Sequence, residues 1–241
     1  MTVTANIQRT SFEDLYITTR EKENRIYTDE QVKQLPLIEP SHIHFKEWEI
    51  RKRSAERLAG YLEKKKRPLK ILEVGCGNGW LSAKLASLKG SVIKGSDINN
   101  TELEQARKVF KEKINLSFIE VDVRDIDPGE KFDDIIFAAS IQYFPCFENV
   151  INTTLPLLSE EGEIHILDSF FYAADEIENA RKRSAEYYRS IGYEEMTAYY
   201  FCHSLDSLRS FEHRILFAPG TFKNKYFGNN DPFPWICITK A

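Results

Sequence analysis

The stretch Lys70-Ile71-Leu72-Glu73-Val74-Gly75-Cys76-Gly77-Asn78-Gly79 joins an apolar run to a glycine-rich turn and decides the fold. Leucines at helical spacing follow it, which predicts a helix over residues 81–88. Glycine allows positive φ and a close approach of a ligand to the backbone, and the start of a helix presents free N–H groups. A strand, a turn and a helix start in this order therefore predict a nucleotide-binding corner.

Short apolar runs alternate with helical patterns on both sides of this corner, as is typical of βαβ units. After the first strand, the pattern predicts strands at 91–96, 116–121, 132–138, 163–167, 211–217 and 234–239. Helices are predicted from Thr101 onward and over 150–158, with turns at 161–162, 219–220 and 228–231. The chain is therefore predicted to be an α/β protein whose first strands run parallel.

Two segments fall outside this alternation. Residues 1–66 precede the first strand and are predicted to form a helical lid on a main domain spanning residues 67–241. An insertion at about 170–210 is rich in tyrosine, with Tyr172, Tyr187, Tyr188, Tyr193, Tyr199 and Tyr200. Because ligands of open α/β sheets bind beyond the carboxyl ends of the strands, a cap formed by this insertion is placed to cover the crevice.

Composition narrows the classes of function. A chain of 241 residues suits one α/β domain with an added cap, and its net charge of -4 disfavours a general electrostatic hold on nucleic acid. The four cysteines lack the spacing of a disulfide framework or a zinc site, so no metal is predicted. Neither a signal peptide nor an apolar stretch suited to a membrane is present, and the expected compartment is the cytoplasm.

The glycine spacing separates two kinds of nucleotide loop. In the dinucleotide fingerprint G-x-G-x-x-G, read from Gly75, the third glycine would fall on Trp80. A tryptophan fits poorly where a helix must pack tightly beside a pyrophosphate. The spacing is instead E-x-G-x-G-x-G, starting at Glu73, which disfavours a nicotinamide-dependent oxidoreductase.

Residues 72–79 resemble motif I of the class I, Rossmann-like S-adenosylmethionine-dependent methyltransferases. The resemblance implies S-adenosylmethionine as cofactor and S-adenosylhomocysteine as product. It also implies that Gly75, Gly77 and Gly79 lie along the cofactor, together with Cys76 and Asn78. An acidic residue at the end of the strand, Glu73, suits the ammonium of the methionine tail.

Later residues match the same family in order. Asp97, followed by Ile98, resembles the acidic residue that accepts both ribose hydroxyls, since a carboxylate has two oxygens for a vicinal diol. Asp122, followed by Val123, resembles the residue near the adenine, and residues 132–139, including Ala138, resemble the strand that passes the methionine moiety. The family implies a seven-stranded sheet of order 3-2-1-4-5-7-6, with only strand 7 antiparallel and helices on both faces.

The acceptor is less defined than the cofactor. Methyl transfer from a sulfonium is an in-line displacement whose leaving group needs no acid, so a catalytic signature need not exist. Tyr143, His203 and Asp168 are weak candidates for a catalytic role. Residues 138–141 lack the pattern of exocyclic-amine methyltransferases. Pro145-Cys146 and Glu148-Asn149-Val150 lie too close together for a cytosine-C5 methyltransferase.

The main hypothesis is a methyltransferase acting on a small molecule enclosed by the lid and the cap. The alternatives are a methyltransferase acting on protein or RNA, and a cofactor-binding protein that has lost catalysis. Nucleic acid and membrane partners are disfavoured, and the oligomeric state is not predicted.

Overall fold

Five parallel strands form most of the sheet. The computed structural model describes residues 2–221 and 231–240, so most of the predicted turn at 228–231 lies outside the described residues. The strands are β1 (Lys70–Val74), β2 (Val92–Asp97), β3 (Leu116–Glu120), β4 (Phe132–Ala138) and β5 (Leu158–Leu167). Ile135, Ile136 and Phe137 are fully buried, as a strand covered on both faces requires.

Two further strands complete the sheet on the β5 side. A small separate ribbon pairs β6 (Phe171–Tyr172) with β7 (His203–Ser204), and the main sheet continues with β8 (His213–Phe217) and β9 (Trp235–Thr239). The sheet order is β3-β2-β1-β4-β5-β9-β8, and β9 runs antiparallel to both of its neighbours. The predicted seven-stranded order and its single antiparallel strand are confirmed.

Helices cover both faces of this sheet. They are α1 (Thr2–Lys22), α2 (Asp29–Gln34), α3 (Phe45–Glu63), α4 (Trp80–Leu85), α5 (Asn100–Val109), α6 (Phe147–Thr154) and α7 (Ile177–Ile191). One apolar cluster lies on the side of the sheet covered by α3 and α4, and Leu58 and Leu85 are fully buried in it. A second lies on the α6 side and contains Phe147 and Ile151. In the described part of the chain, no helix is long and apolar enough to cross a membrane.

One local prediction, the turn at residues 161–162, was wrong. Residues 161–162 do not form a turn but lie inside β5, where the pairing with β4 is irregular. A Cβ on Gly162 would lie 2.9 Å from Leu158 and 3.0 Å from the Phe132 carbonyl oxygen, so the glycine permits close backbone packing at a bulge. The cap contains one α-helix, α7, and short 3-10 segments.

Candidate functional site

The glycine-rich loop between β1 and α4 is tied to the end of β2. The backbone N–H groups of Gly75 and Cys76 donate to the Ser96 carbonyl oxygen at 2.8 and 3.0 Å. The Gly77 N–H donates to the Asp97 carboxylate at 2.8 Å. Because these bonds join successive loop residues to one strand end, the loop is held open beside the carboxyl edge of the sheet.

The three glycines of this loop have different reasons to lack a side chain. A Cβ on Gly75 would lie 2.5 Å from the Ser140 Cβ, and a Cβ on Gly79 would lie 2.5 Å from the Phe118 ring. Gly77 instead faces the Glu102 carboxylate, whose nearest oxygen would lie 3.1 Å from an added Cβ. Packing of the domain therefore explains Gly75 and Gly79, whereas Gly77 leaves room at the ligand side.

A crevice lies between this loop, the end of β4 and the N-terminal helices. The site residues predicted from the sequence that line it are Glu73, Gly75, Cys76, Gly77, Asn78 and Ala138. Those that the sequence analysis missed are Tyr16, Arg20, Arg25, Tyr27, Trp48, Arg51, Trp80, Glu102 and Ala139. No motif marks these residues, because most reach the crevice from helices far away in the sequence.

Trp80, the residue that disfavours a dinucleotide loop, connects the loop to the lid. Its side chain is buried at the start of α4 and meets Trp48 of α3 edge-on, with ring centroids 5.3 Å apart. The Trp48 indole N–H in turn donates to the Tyr27 hydroxyl at 2.8 Å. The helix before β1 is therefore packed directly against the candidate cofactor loop.

Glu73 is a buried acid at the floor of the crevice. Burial raises its pKa to about 8, and the Ser82 hydroxyl donates a hydrogen bond to its carboxylate. The carboxyl group is therefore largely protonated at neutral pH, and a cationic group placed beside it would favour ionisation. A carboxyl group that ionises beside a cation is compatible with holding an ammonium group.

The predicted ribose and adenine residues lie on successive strand ends. Asp97 also accepts the Asn99 N–H at 2.9 Å and Ile98 follows it, but the described residues that line the crevice include neither of them. Asp122 begins a 3-10 turn and forms a two-point contact with the Arg124 guanidinium at 2.8 and 2.6 Å. Val123 is buried. Their roles toward a cofactor remain predictions.

The lid and the cap meet above the end of β4 through aromatic side chains and one guanidinium. Arg20 of α1 donates to the Tyr143 hydroxyl at 2.5 Å and to Glu23 at 2.8 Å, and lies 4.8 Å from the centre of the Tyr16 ring. The Tyr143 ring meets those of Tyr16 and Tyr200 edge-on at 5.6 and 6.0 Å. These side chains form one wall from three distant parts of the chain.

The three weak catalytic candidates are not brought together. Tyr143 lies in the wall just described, and burial raises its pKa. His203 contacts the Ile141 carbonyl oxygen through Nε2 at 3.0 Å, and burial lowers its pKa, so the neutral ring ties the cap to the loop after β4. Asp168 accepts the Ser54 hydroxyl at 2.9 Å, and burial raises its pKa to about 6. A catalytic role for any of them remains a prediction.

A buried ionic cluster on the strands was not expected from the sequence. Glu163, His165 and Cys237 bring their potential ligand atoms within 4.8 Å of one another. The Lys65 ammonium, however, lies 2.8 Å from the Glu163 carboxylate, and the Arg214 guanidinium lies 2.6 Å from it. These two cations neutralise the cluster, so its geometry is that of an ion-pair network between the residues just after α3 and the strands β5, β8 and β9.

Comparison with known proteins identifies the family. A family described as "Methyltransferase domain" matches residues 65–215, which is more than half of the chain. This chain belongs to that methyltransferase family. The match confirms the resemblance on which the sequence analysis rests, and S-adenosylmethionine as cofactor is consistent with this family.

Individual relatives match the methyltransferase over part of their length. A malonyl-[acyl-carrier protein] O-methyltransferase of Ilyobacter polytropus is 32% identical over 117 residues, covering 48% of this chain and 44% of that protein. A ubiquinone biosynthesis O-methyltransferase of Glaesserella parasuis is 32% identical over 104 residues, covering 40% and 44%. The chain thus spans less than half the length of these curated relatives.

A solved structure extends the likeness in fold to the whole chain. The magnesium protoporphyrin IX methyltransferase from Synechocystis PCC 6803, with S-adenosylhomocysteine bound, is 16% identical and covers 98% of this chain, with a TM-score of 0.65. The shared fold includes the order of the seven strands.

The side chains present suit S-adenosylmethionine. The cofactor carries no phosphate, so its site must bind an α-amino acid, a diol and a purine, and it needs no phosphate-binding loop. Glu73 is buried and lines the crevice, and the Asp97 carboxylate is bonded to the N–H of Gly77, which also lines it. The space that a side chain on Gly77 would fill lies beside the Glu102 carboxylate. These three features fit the tail and the ribose of this cofactor.

Proposed function

We propose that this methyltransferase transfers the methyl group of S-adenosylmethionine to an oxygen of a small acceptor that carries a carboxylate. The acceptor would be held under the wall formed by Tyr16, Arg20, Tyr143 and Tyr200. The observation that carries this proposal is the contact between the Arg20 guanidinium and Tyr143, just after the end of β4. A guanidinium in an aromatic wall is a complementary partner for a planar carboxylate.

The charges around the crevice favour an acceptor that is already ionised. Arg20, Arg25 and Arg51 face it from the lid, and no histidine is among the described residues that line it. A carboxylate is deprotonated at neutral pH and therefore needs no general base to become a nucleophile. An alcohol or a phenol would require a base, and His203 already faces a carbonyl oxygen.

The protein's contribution to the reaction is position and exclusion of water. The cofactor supplies an electrophilic methyl group. The loop at 75–79 and Asp97 fix the position of the donor, while Arg20 orients the acceptor oxygen toward it. The rings of Phe12 and Tyr199, 4.9 Å apart, join α1 to the cap and help to close the crevice against water.

The relatives support an oxygen acceptor. The malonyl-[acyl-carrier protein] and ubiquinone biosynthesis enzymes are both O-methyltransferases. They match over less than half of their length, so their acceptors serve as a guide to the class of compound to test. Incubation of the protein with radiolabelled S-adenosylmethionine and a panel of carboxylic acids, phenols, amines, protein and RNA tests the proposal. Transfer to phenols, amines, protein or RNA without transfer to carboxylic acids would refute it.

Replacing Arg20 with methionine is expected to raise KM for the best carboxylate acceptor about tenfold or more. The reason is the loss of a charge-assisted hydrogen bond worth about 1.5–3 kcal/mol. The effect on the Kd of S-adenosylhomocysteine should be smaller. Initial rates and calorimetric titration measure the two quantities. Lys22→Met is the matched control, because Lys22 is exposed on the same helix. An equal change of KM in both variants would argue against contact between Arg20 and the acceptor.

A further inference from the structure

Glu102 is an acidic residue that lines the crevice, and no sequence motif assigns a role to it. It lies in the first turn of α5, and its carboxylate oxygens stand 3.1 and 3.4 Å from the position of a Cβ on Gly77. Among the described residues, its carboxylate forms no hydrogen bond or ion pair. A carboxylate kept in a crevice without a partner is costly for the folded protein.

The surroundings of Glu102 disfavour its ionised form. Burial and the nearby Asp97 carboxylate raise its pKa to about 7, although the Arg20 guanidinium acts in the opposite direction. The other titratable groups that face it are Tyr16, Cys76 and Tyr143. Two carboxylates, Asp97 and Glu102, therefore flank Gly77.

We propose that Glu102 is a second acidic group of the cofactor site, which accepts a hydrogen bond from the adenosyl part of S-adenosylmethionine. Two observations point to the adenosyl part and away from the amino acid tail. Glu102 shares Gly77 with Asp97, whose carboxylate ends β2 on the ribose side. Glu73, at the floor of the crevice, supplies the acid suited to the ammonium. The proposal rests on the cofactor alone and is independent of the acceptor proposed above.

The consequence is a cofactor affinity that depends on pH. The ionised form of Glu102 is the better acceptor, and ligand hydrogen bonds to it lower its pKa in the complex. Affinity should therefore increase with pH through neutrality. With a pKa of about 7 in the free protein, the ionised fraction increases about tenfold between pH 6 and pH 8. The Kd should fall by up to the same factor over this interval.

The test compares Glu102→Gln with Glu104→Gln, using two ligands. Glu104 is exposed two residues away on the same helix and serves as the control. S-adenosylhomocysteine carries the amino acid tail, whereas 5′-methylthioadenosine lacks it and therefore cannot report on Glu73 and the ammonium. Calorimetric titration at pH 6, 7 and 8 gives the Kd of both ligands for each protein.

Glu102→Gln is expected to weaken the binding of both ligands by about tenfold at pH 8 and to abolish most of the pH dependence for 5′-methylthioadenosine. Glu104→Gln should leave both unchanged. Weakening for S-adenosylhomocysteine alone would place Glu102 at the tail and overturn the proposal. Unchanged binding of both ligands would also overturn it. Failure of the wild-type protein to bind either ligand would refute the cofactor site itself, which is a different result.

Thermal unfolding without ligand separates this role from a structural one. A group whose pKa is raised in the folded state costs stability as the pH rises from its unfolded value of about 4.5 toward 7 and above. Glu102→Gln removes that cost, so the variant without ligand should melt at a higher temperature than the wild type at pH 8. A structural Glu102 would give the opposite shift. We therefore expect Glu102→Gln to be more stable than the wild type without ligand and to bind the cofactor more weakly.

Discussion

Gly77→Val is expected to eliminate measurable binding of S-adenosylhomocysteine, a loss of at least about 100-fold. The residue has φ of 52°, in the left-handed region where a β-branched side chain is strained by about 1–2 kcal/mol. Its new methyl groups would also fill the space beside the Glu102 carboxylate, 3.1 Å from the added Cβ. Calorimetric titration measures the loss, and circular dichroism checks that the sheet is formed.

Gly192→Val is the matched control for backbone strain. Gly192 has φ of 86° at the end of α7, and no atom lies within 4 Å of an added Cβ. This variant should lose a comparable amount of stability and retain the Kd of S-adenosylhomocysteine. Normal binding by Gly77→Val would show that the cofactor does not pass over Gly77.

Asp97→Ala is expected to weaken S-adenosylhomocysteine binding by about 10- to 150-fold. This corresponds to about 1.5–3 kcal/mol, the range for hydrogen bonds to a charged group. Part of the loss comes from the loop itself, because Asp97 also accepts the N–H groups of Gly77 and Asn99. The measurement is again the Kd from calorimetric titration.

Asp122→Ala provides the comparison on the next strand end. Its carboxylate is already engaged by the Arg124 guanidinium, so we expect a smaller loss than at Asp97. A loss at Asp122 equal to or greater than that at Asp97 would contradict the expectation that the ribose contact dominates. Unchanged binding of S-adenosylhomocysteine by Asp97→Ala would show that Asp97 does not contact the ribose.

The centre of the fold was predictable because its signals are local. The strand at 70–74, the glycine spacing after it and the apolar run ending at Ala138 each specify one element and one position in a known order. Trp80 disfavoured a dinucleotide loop from the sequence alone, before the structure showed that it packs against Trp48. The structure then placed Glu73, Gly77 and Ala138 around one crevice.

The other half of the crevice could not be predicted because it depends on packing between distant segments. Arg20 and Tyr143 are 123 residues apart, and nothing in the residues around either one indicates the other. Glu102 was read only as part of a helix start, although that position faces the crevice. The turn expected at 161–162 failed for a related reason, since a glycine in a strand and one in a turn have the same local sequence signal.

The crevice is built from two parts of the chain with different relations to the family. Tyr16, Arg20, Trp48 and Arg51 lie before residue 65, outside the segment that the family model matches, whereas the cofactor loop lies inside it. The two portions can therefore diverge at different rates. A chimera that exchanges only the first 64 residues between relatives would replace Tyr16 and Arg20 and keep Tyr143, Tyr200 and the glycine-rich loop, and would thereby measure how much of the acceptor preference the N-terminal segment carries.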